Sequence, residues 1–176
     1  MRTAILVRTA IRAGLAATIL AATLAGCSGS HSDHPAPSAA DPNLLAGCGP
    51  LADQVIAGQL HVAQVRPQTQ PTICTWTADL PGGGTIDLTY AWLREDTLQQ
   101  DLQVAAQFGY RIEKLVLKKF GGMYWRDPND PGSCAVTTAD TGTVTWWVQN
   151  RDHAAQPDPC AAAMGLMQAT LSVDGV

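Results

Sequence analysis

The chain lacks the features that would assign it to several common classes of protein. No two cysteines have the two-residue spacing of structural zinc motifs. The glycines at 82–84 precede a predicted strand rather than a helix, so they do not indicate a phosphate-binding loop. No serine lies in a strand–turn–helix elbow, and no alternating run of oxygen ligands ends in a bidentate glutamate. The sequence therefore predicts no catalytic residue, no metal site and no cofactor.

The first 26 residues lack acidic side chains and have the order of a secretory signal. Three arginines precede an apolar run from Ala13 to Gly26, and that run is shorter than the roughly 20 residues that span a bilayer as a helix. The run ends in Leu24-Ala25-Gly26-Cys27, which resembles the bacterial lipobox. The resemblance implies cleavage before Cys27 and a diacylglycerol thioether on its sulfur. The alternative is an ordinary signal peptide with a cysteine near its end.

Lipid attachment at Cys27 would place the protein on the cell membrane, anchored at the extracytoplasmic face. Two or three acyl chains make a stable anchor, whereas one chain is marginal. Removing the signal takes three of the eleven basic residues, which leaves eight against fifteen acidic residues, a net charge of about −7. Phosphate binding requires a basic face, so a nucleic-acid partner is not expected.

Residues 27–43 are predicted to be a disordered tether and residues 44–176 a single globular domain. The tether has no large apolar side chain with which to build a core. His31 and His34 lie within it, and without a third ligand they fit a solvated linker better than a metal site.

Four cysteines remain in the predicted domain, an even number in an exported chain. Cys48, Cys74, Cys134 and Cys160 allow three pairings, and the sequence alone does not choose among them. The intervals 48–74 and 134–160 both span 26 positions, and each joins a predicted helix start to a predicted strand. This regularity favours the disulfides Cys48–Cys74 and Cys134–Cys160.

The hydrophobic pattern predicts an α+β fold. The predicted order is helix, hairpin, helix, four strands, helix, which gives an antiparallel sheet of about six strands covered by about three helices. The helices are expected at about 50–59, 96–108 and 159–171, and the strands at about 73–80, 85–92, 113–119, 123–126, 134–138 and 143–150.

The four-cysteine order resembles a known family. Cys48 opens a helix, Cys74-Thr75-Trp76 lies in a strand, and Asp158-Pro159-Cys160 begins the final helix. With the lipobox, this series is similar to small actinobacterial cell-envelope lipoproteins that are common in mycobacteria and include the LprB-type proteins. The family has no known function, so the resemblance implies a fold and a location but no catalytic or ligand residue.

Trp147 is the main candidate for a ligand-binding residue. Adjacent strand residues point to opposite faces, so Trp146 is expected in the core with Val144 and Val148. Trp147 then shares a face with Thr145, and an aromatic among threonines on an open sheet face would be a platform for a sugar, a lipid or a partner chain. The alternative is that a helix or a loop covers it.

A second candidate is a basic stretch over residues 111–126, which carries five positive charges and includes Lys118 and Lys119. These side chains could meet phospholipid or phosphorylated glycolipid head groups. The alternative is that lysines on an edge strand discourage pairing with another sheet.

These observations favour a non-catalytic envelope protein that acts as a binding or accessory module for an envelope protein or lipid. The second hypothesis is a carrier or sensor of a lipid or other apolar ligand. An enzyme is the third, and the sequence favours it least.

We expect Cys27→Ser to release the domain from membranes or to leave an unprocessed precursor, because the lipid would have no sulfur to occupy. Membrane fractionation and intact mass spectrometry measure both outcomes. Wild-type protein without thioether-linked lipid would refute the anchor.

Overall fold

Seven antiparallel strands form one sheet in the computed structural model, which describes residues 48–70 and 72–173. Three helices of the described region pack on this sheet, so the predicted α+β class is confirmed. The predicted signal, Cys27 and the whole predicted tether lie outside the described residues.

The elements follow one another in a simple order. They are α1 (Asp53–Leu60), β1 (Arg66–Thr69), β2 (Ile73–Asp79), β3 (Thr85–Leu93), α2 (Leu98–Gln107), β4 (Arg111–Leu117), β5 (Phe120–Arg126), β6 (Ser133–Ala139), β7 (Thr143–Asn150) and α3 (Pro159–Val173). The strands are ordered β1-β2-β3-β7-β6-β5-β4 across the sheet. Strands β1 and β4 are therefore its edges.

The expected count of six strands is too low by one, because β1 was not predicted. This strand has the sequence Arg-Pro-Gln-Thr, which shows no apolar alternation. Proline lacks an N–H to donate to a ladder and is tolerated on edge strands. Strand β1 pairs with β2 alone, which explains how Pro67 fits into the sheet.

One face of the sheet, called the core face here, packs against α1 and α3. The alternating positions of β2, β3 and β7 supply its large side chains, as predicted. Trp76 and Trp146 lie with ring centroids 5.3 Å apart, and Tyr90 lies 5.0 Å from Trp146. All three side chains are buried, so an aromatic cluster forms the centre of the core.

Each buried indole N–H binds one of the covering helices. Trp76 Nε1 donates to Asp53 Oδ1 at the start of α1 over 2.9 Å. Trp146 Nε1 donates to Thr170 Oγ1 on α3, also over 2.9 Å. A buried N–H without a partner would cost about 1–3 kcal/mol, so these bonds fix where both helices can pack.

The structure confirms the favoured disulfide pairing. Cys48–Cys74 joins the segment before α1 to β2, with the two Cα atoms 5.2 Å apart. Cys134–Cys160 joins β6 to the first turn of α3, with the Cα atoms 5.1 Å apart. The first turn of α3 is also capped, because Asp158 Oδ1 accepts from the N–H of Cys160.

Helix α2 packs on the opposite face, where it contacts β4, β5 and β6. It begins one residue after Thr97, whose hydroxyl accepts from the N–H of Gln100 while the Gln100 side chain accepts from the N–H of Thr97. This reciprocal capping box places the start at Leu98 rather than at the predicted residue 96. Helix α1 likewise begins at Asp53, three residues after the predicted start.

The domain carries its own core. Both disulfides and the buried rings of Trp76, Tyr90 and Trp146 lie within the described residues. We therefore expect this part of the chain to fold without the residues before it. In the described region, every helix is too short or too polar to cross a membrane.

Candidate functional site

The second face of the sheet is only partly covered, because α2 lies over β4, β5 and β6 and leaves β3 and β7 more accessible. An open groove of about 430 Å³ runs between this helix and the uncovered strands. Its lining residues are Thr89, Ala91, Leu93, Asp101, Trp125, Thr145, Trp147 and Gln149. This volume lies in the usual range of ligand sites, roughly 300–1,000 Å³.

Trp147 lies in this groove and is half-buried, while its neighbour Trp146 is fully buried in the core. The alternation of β7 thus separates the two tryptophans as predicted. Trp147 does not stand alone, however. Its ring contacts Trp125 edge to face at 4.8 Å and Tyr110 at 5.8 Å.

A second aromatic cluster, called the groove cluster here, consists of Tyr110, Trp125 and Trp147. Its three rings stand almost at right angles to one another, with interplanar angles of 81–88°. Edge-to-face packing places the positive edge of one ring on the negative face of the next, which stabilises the arrangement. Two of the rings, Trp125 and Trp147, line the groove. They form an aromatic corner at one end of it.

Thr145 is the second predicted ligand residue that the structure places in the groove. Its hydroxyl lies 2.7 Å from the hydroxyl of Thr137, which accepts from Trp125 Nε1 over 2.9 Å. This chain of hydrogen bonds joins β7, β6 and β5 and fixes the orientation of the Trp125 ring. Thr145 therefore positions the aromatic corner as well as lining the groove.

The predicted residues Lys118 and Lys119 lie elsewhere. Lys118 Nζ donates to the carbonyl oxygen of Leu171 near the end of α3, which packs on the core face. Lys119 Nζ lies 5.7 Å from the ring centroid of Phe120. The bond from Lys118 places a positive charge at the negative end of the α3 dipole. The two lysines do not join Trp147 and Thr145 in one site.

The rest of the basic stretch lies on β4 and β5, at one edge of the sheet. Arg126 pairs with Glu113 over 3.5 Å, and both side chains are largely exposed, so this ion pair adds little stability. The edge position favours the alternative interpretation, in which the basic residues discourage pairing with another sheet.

Asp101 is the one ionisable side chain among the described residues that line the groove, and the sequence did not single it out. It lies in the first turn of α2, and its Oδ2 atom is buried with no hydrogen-bond partner in the described part of the chain. Burial raises the pKa of this carboxyl, and the negative charge of Asp96 adds to the increase. The nearby Thr143 hydroxyl lowers the pKa in part, although it does not reach Oδ2 in bonding geometry.

Two ion pairs lie on this half of the sheet, one between β3 and the residue after β7 and one between β1 and β2. Arg151 donates to Asp87 over 2.6 and 2.8 Å, and Arg66 donates to Asp79 over 2.8 and 3.1 Å. The hydrogen bond from Arg66 lowers the pKa of Asp79, which keeps that carboxylate ionised. Neither pair includes Asp101, which is the one ionisable side chain of the described groove lining.

The opposite placement of the two tryptophans predicts unequal losses of stability. Trp146→Ala should lower the free energy of unfolding by about 3–5 kcal/mol, because it leaves a large cavity and removes the bond to Thr170. Trp147→Ala should cost about 1–2 kcal/mol, since a half-buried ring loses two edge-to-face contacts. Denaturant unfolding measures both, with Trp147→Phe as the control that keeps a ring. Equal losses for both alanine variants would contradict this assignment.

Asp101→Asn should stabilise the domain at neutral pH by about 1 kcal/mol, because it removes a buried charge that lacks a full set of partners. A carboxyl with a raised pKa in the folded state stabilises the fold at low pH and loses that contribution as pH rises through its folded value. The advantage of the variant should therefore appear as pH increases above the ordinary value of 3.8. Unfolding between pH 3 and 7 measures it, with exposed Glu95→Gln as the matched control. An advantage that does not change with pH would contradict the argument.

Comparison with known proteins supplies a family. Searches of curated proteins and of solved structures each found no match. The model of a family described as "Protein of unknown function (DUF3558)" matches residues 22–172, which include the lipobox-like quartet and nearly all of the described domain. The chain belongs to this uncharacterised family.

Proposed function

We propose that this chain is a non-catalytic lipoprotein of the cell envelope, held by a lipid on Cys27 at the extracytoplasmic face of the cell membrane. The domain acts there as a binding or accessory module, and the groove beside Trp147 is its ligand site. The observation that carries the proposal is that α2 leaves this groove uncovered although it holds two tryptophans.

The sequence features before the domain support the location. The family match begins at residue 22 and therefore covers the positions of Leu24-Ala25-Gly26-Cys27. The two disulfides agree with an oxidising compartment outside the cytoplasm. The resemblance to actinobacterial lipoproteins of the LprB type points to the same location and is part of this proposal.

The composition of the groove supports binding rather than catalysis. Acid–base chemistry needs converging polar groups, whereas the described lining has one ionisable side chain, Asp101. The remaining lining is apolar or carries hydroxyl and amide groups, which is the usual composition of a ligand site.

A second candidate function is the transport or sensing of an apolar ligand. Val104 follows Asp101 by three residues and so shares its side of α2, and Phe108 follows one turn later. Val104 is 46% exposed and Phe108 is 74% exposed, which is unusual for large apolar side chains. An acyl chain that enters the groove would cover this apolar rim.

A photo-crosslinking experiment tests both candidates. We would replace Phe108 with p-benzoylphenylalanine in the full chain. The ring centroid of Phe108 lies 6.4 Å from that of Tyr110, which belongs to the groove cluster. The control places the same residue at Val116, which is 71% exposed and lies on the edge strand β4. Irradiation of intact cells should give an adduct at position 108 that is absent at position 116.

The mass of the adduct separates the candidates. A protein-sized shift supports an accessory module, and a shift of lipid size supports a carrier. Double variants with Trp147→Ala should lose the adduct, because the ligand would have lost its aromatic corner. Equal labelling at positions 108 and 116, or labelling that survives the loss of Trp147, would overturn the proposal.

A further inference from the structure

The charge and the aromatic surface of the groove identify the chemistry of a ligand. Trp125 and Trp147 meet at an interplanar angle of 88° with ring centroids 4.8 Å apart. Both indole rings line the groove, and the π face of an indole carries partial negative charge. Aromatic walls of this kind attract organic cations.

Asp101 adds a negative charge to the same groove. Its Oδ2 atom is shielded from water and unpartnered among the described residues, so water does not fully compensate the carboxylate. An opposite charge in the groove would interact with it through a medium of low dielectric, where Coulomb attraction is stronger than in water. A carboxylate in this state is better compensated by a cation than by a neutral ligand.

The rest of the groove favours the same ligand. The described lining includes no lysine or arginine, so it offers no positive charge to bind a phosphate, a sulfate or another carboxylate. Ala91 and Leu93 contribute apolar surface, and Thr89 and Gln149 contribute neutral hydrogen-bonding groups. A ligand that fits this lining has a positive charge and an apolar body.

We propose that the groove binds an organic ammonium group, with the cation between Trp125, Trp147 and Asp101 and its hydrocarbon part along Ala91 and Leu93. This inference rests on the proposed function of the groove as a ligand site and names the chemical class of its ligand. A choline or ethanolamine head group, an amino sugar and a free amine all carry this chemistry.

A pair of isosteric probes tests the charge. Choline and 3,3-dimethylbutanol have nearly the same shape, but only choline carries a positive charge. We would titrate each into an unlipidated chain that starts at residue 28 and so lacks Cys27, and follow the five indole N–H resonances by NMR. Choline should shift the resonances of Trp125 and Trp147 but not those of the core residues Trp76 and Trp146.

The expected affinity for choline is about tenfold higher than for the neutral isostere, which is the preference that a partly desolvated cation–π site with one carboxylate should give. Asp101→Asn should remove most of this preference while the chain remains folded. Glu95→Gln makes the same change in net charge on an exposed residue and should leave the preference unchanged. Equal binding of the two probes, no shift at Trp125 and Trp147, or equal effects of both variants would overturn the inference.

The choline titration and the crosslinking experiment test different claims, so one can fail while the other succeeds. Crosslinking at position 108 depends on whether the groove is occupied, whatever the charge of the ligand. A specific crosslink together with equal affinity for the two probes would keep the groove as a ligand site and reject only the cationic class. Choline and ethanolamine phospholipids, glucosamine and simple amines, compared with the same readout, then distinguish the sources of the ammonium group.

Discussion

The contact between Trp76 and Trp146 is the constraint on which the rest of this structure depends. Two large indole rings at the centre of the sheet must each satisfy a buried N–H, and each does so with a side chain on a covering helix. The two disulfides reinforce the same arrangement, since one joins the segment before α1 to β2 and the other joins α3 to β6. Both helices therefore pack on the core face, and α2 is the one described helix that packs on the opposite face.

A single ten-residue helix cannot cover a sheet of seven strands. At about 10 Å in diameter it spans little more than two strands at their usual spacing of about 4.8 Å. The capping box fixes where α2 begins, and the short turn after it leads directly into the edge strand β4. The helix is therefore held over the β4 side of the sheet, and β3 and β7 meet solvent. The groove beside Trp147 therefore forms because α2 is too narrow to cover β3 and β7.

Much of this architecture could be predicted from the sequence, because alternation in β2, β3 and β7 assigns side chains to faces without knowledge of their partners. The equal cysteine intervals predicted the two disulfides correctly, and Asp158-Pro159-Cys160 predicted the start of α3, because these signals also depend on short stretches of sequence. Strand β1 was missed because its pairing, not its composition, makes it a strand. The site was found only in part. Tyr110 and Trp125 contact Trp147 from a connection and from a separate strand, and Asp101 lines the same groove from a helix. No local pattern predicts an arrangement that depends on where α2 packs. The contact of Lys118 with α3 is of the same kind.

Few buried polar side-chain atoms of the described region lack a hydrogen-bond partner. On the core face, the buried indole N–H groups of Trp76 and Trp146 are paired, as expected where burial makes an unpaired group costly. Three buried side-chain atoms lack partners in the described region: Thr143 Oγ1 and Asn150 Oδ1 on β7, and Asp101 Oδ2, which belongs to a residue of the groove lining. A fold selected for stability alone would neutralise or pair this carboxylate, since an amide of the same shape fits the position. Violations of the local rules of polar satisfaction concentrate at functional sites, where stability is sacrificed for binding. The unpartnered Oδ2 atom of Asp101 therefore supports the proposed ligand site for a reason independent of its tryptophans, because aromatic side chains at a surface stabilise a fold whereas a poorly compensated buried oxygen does not.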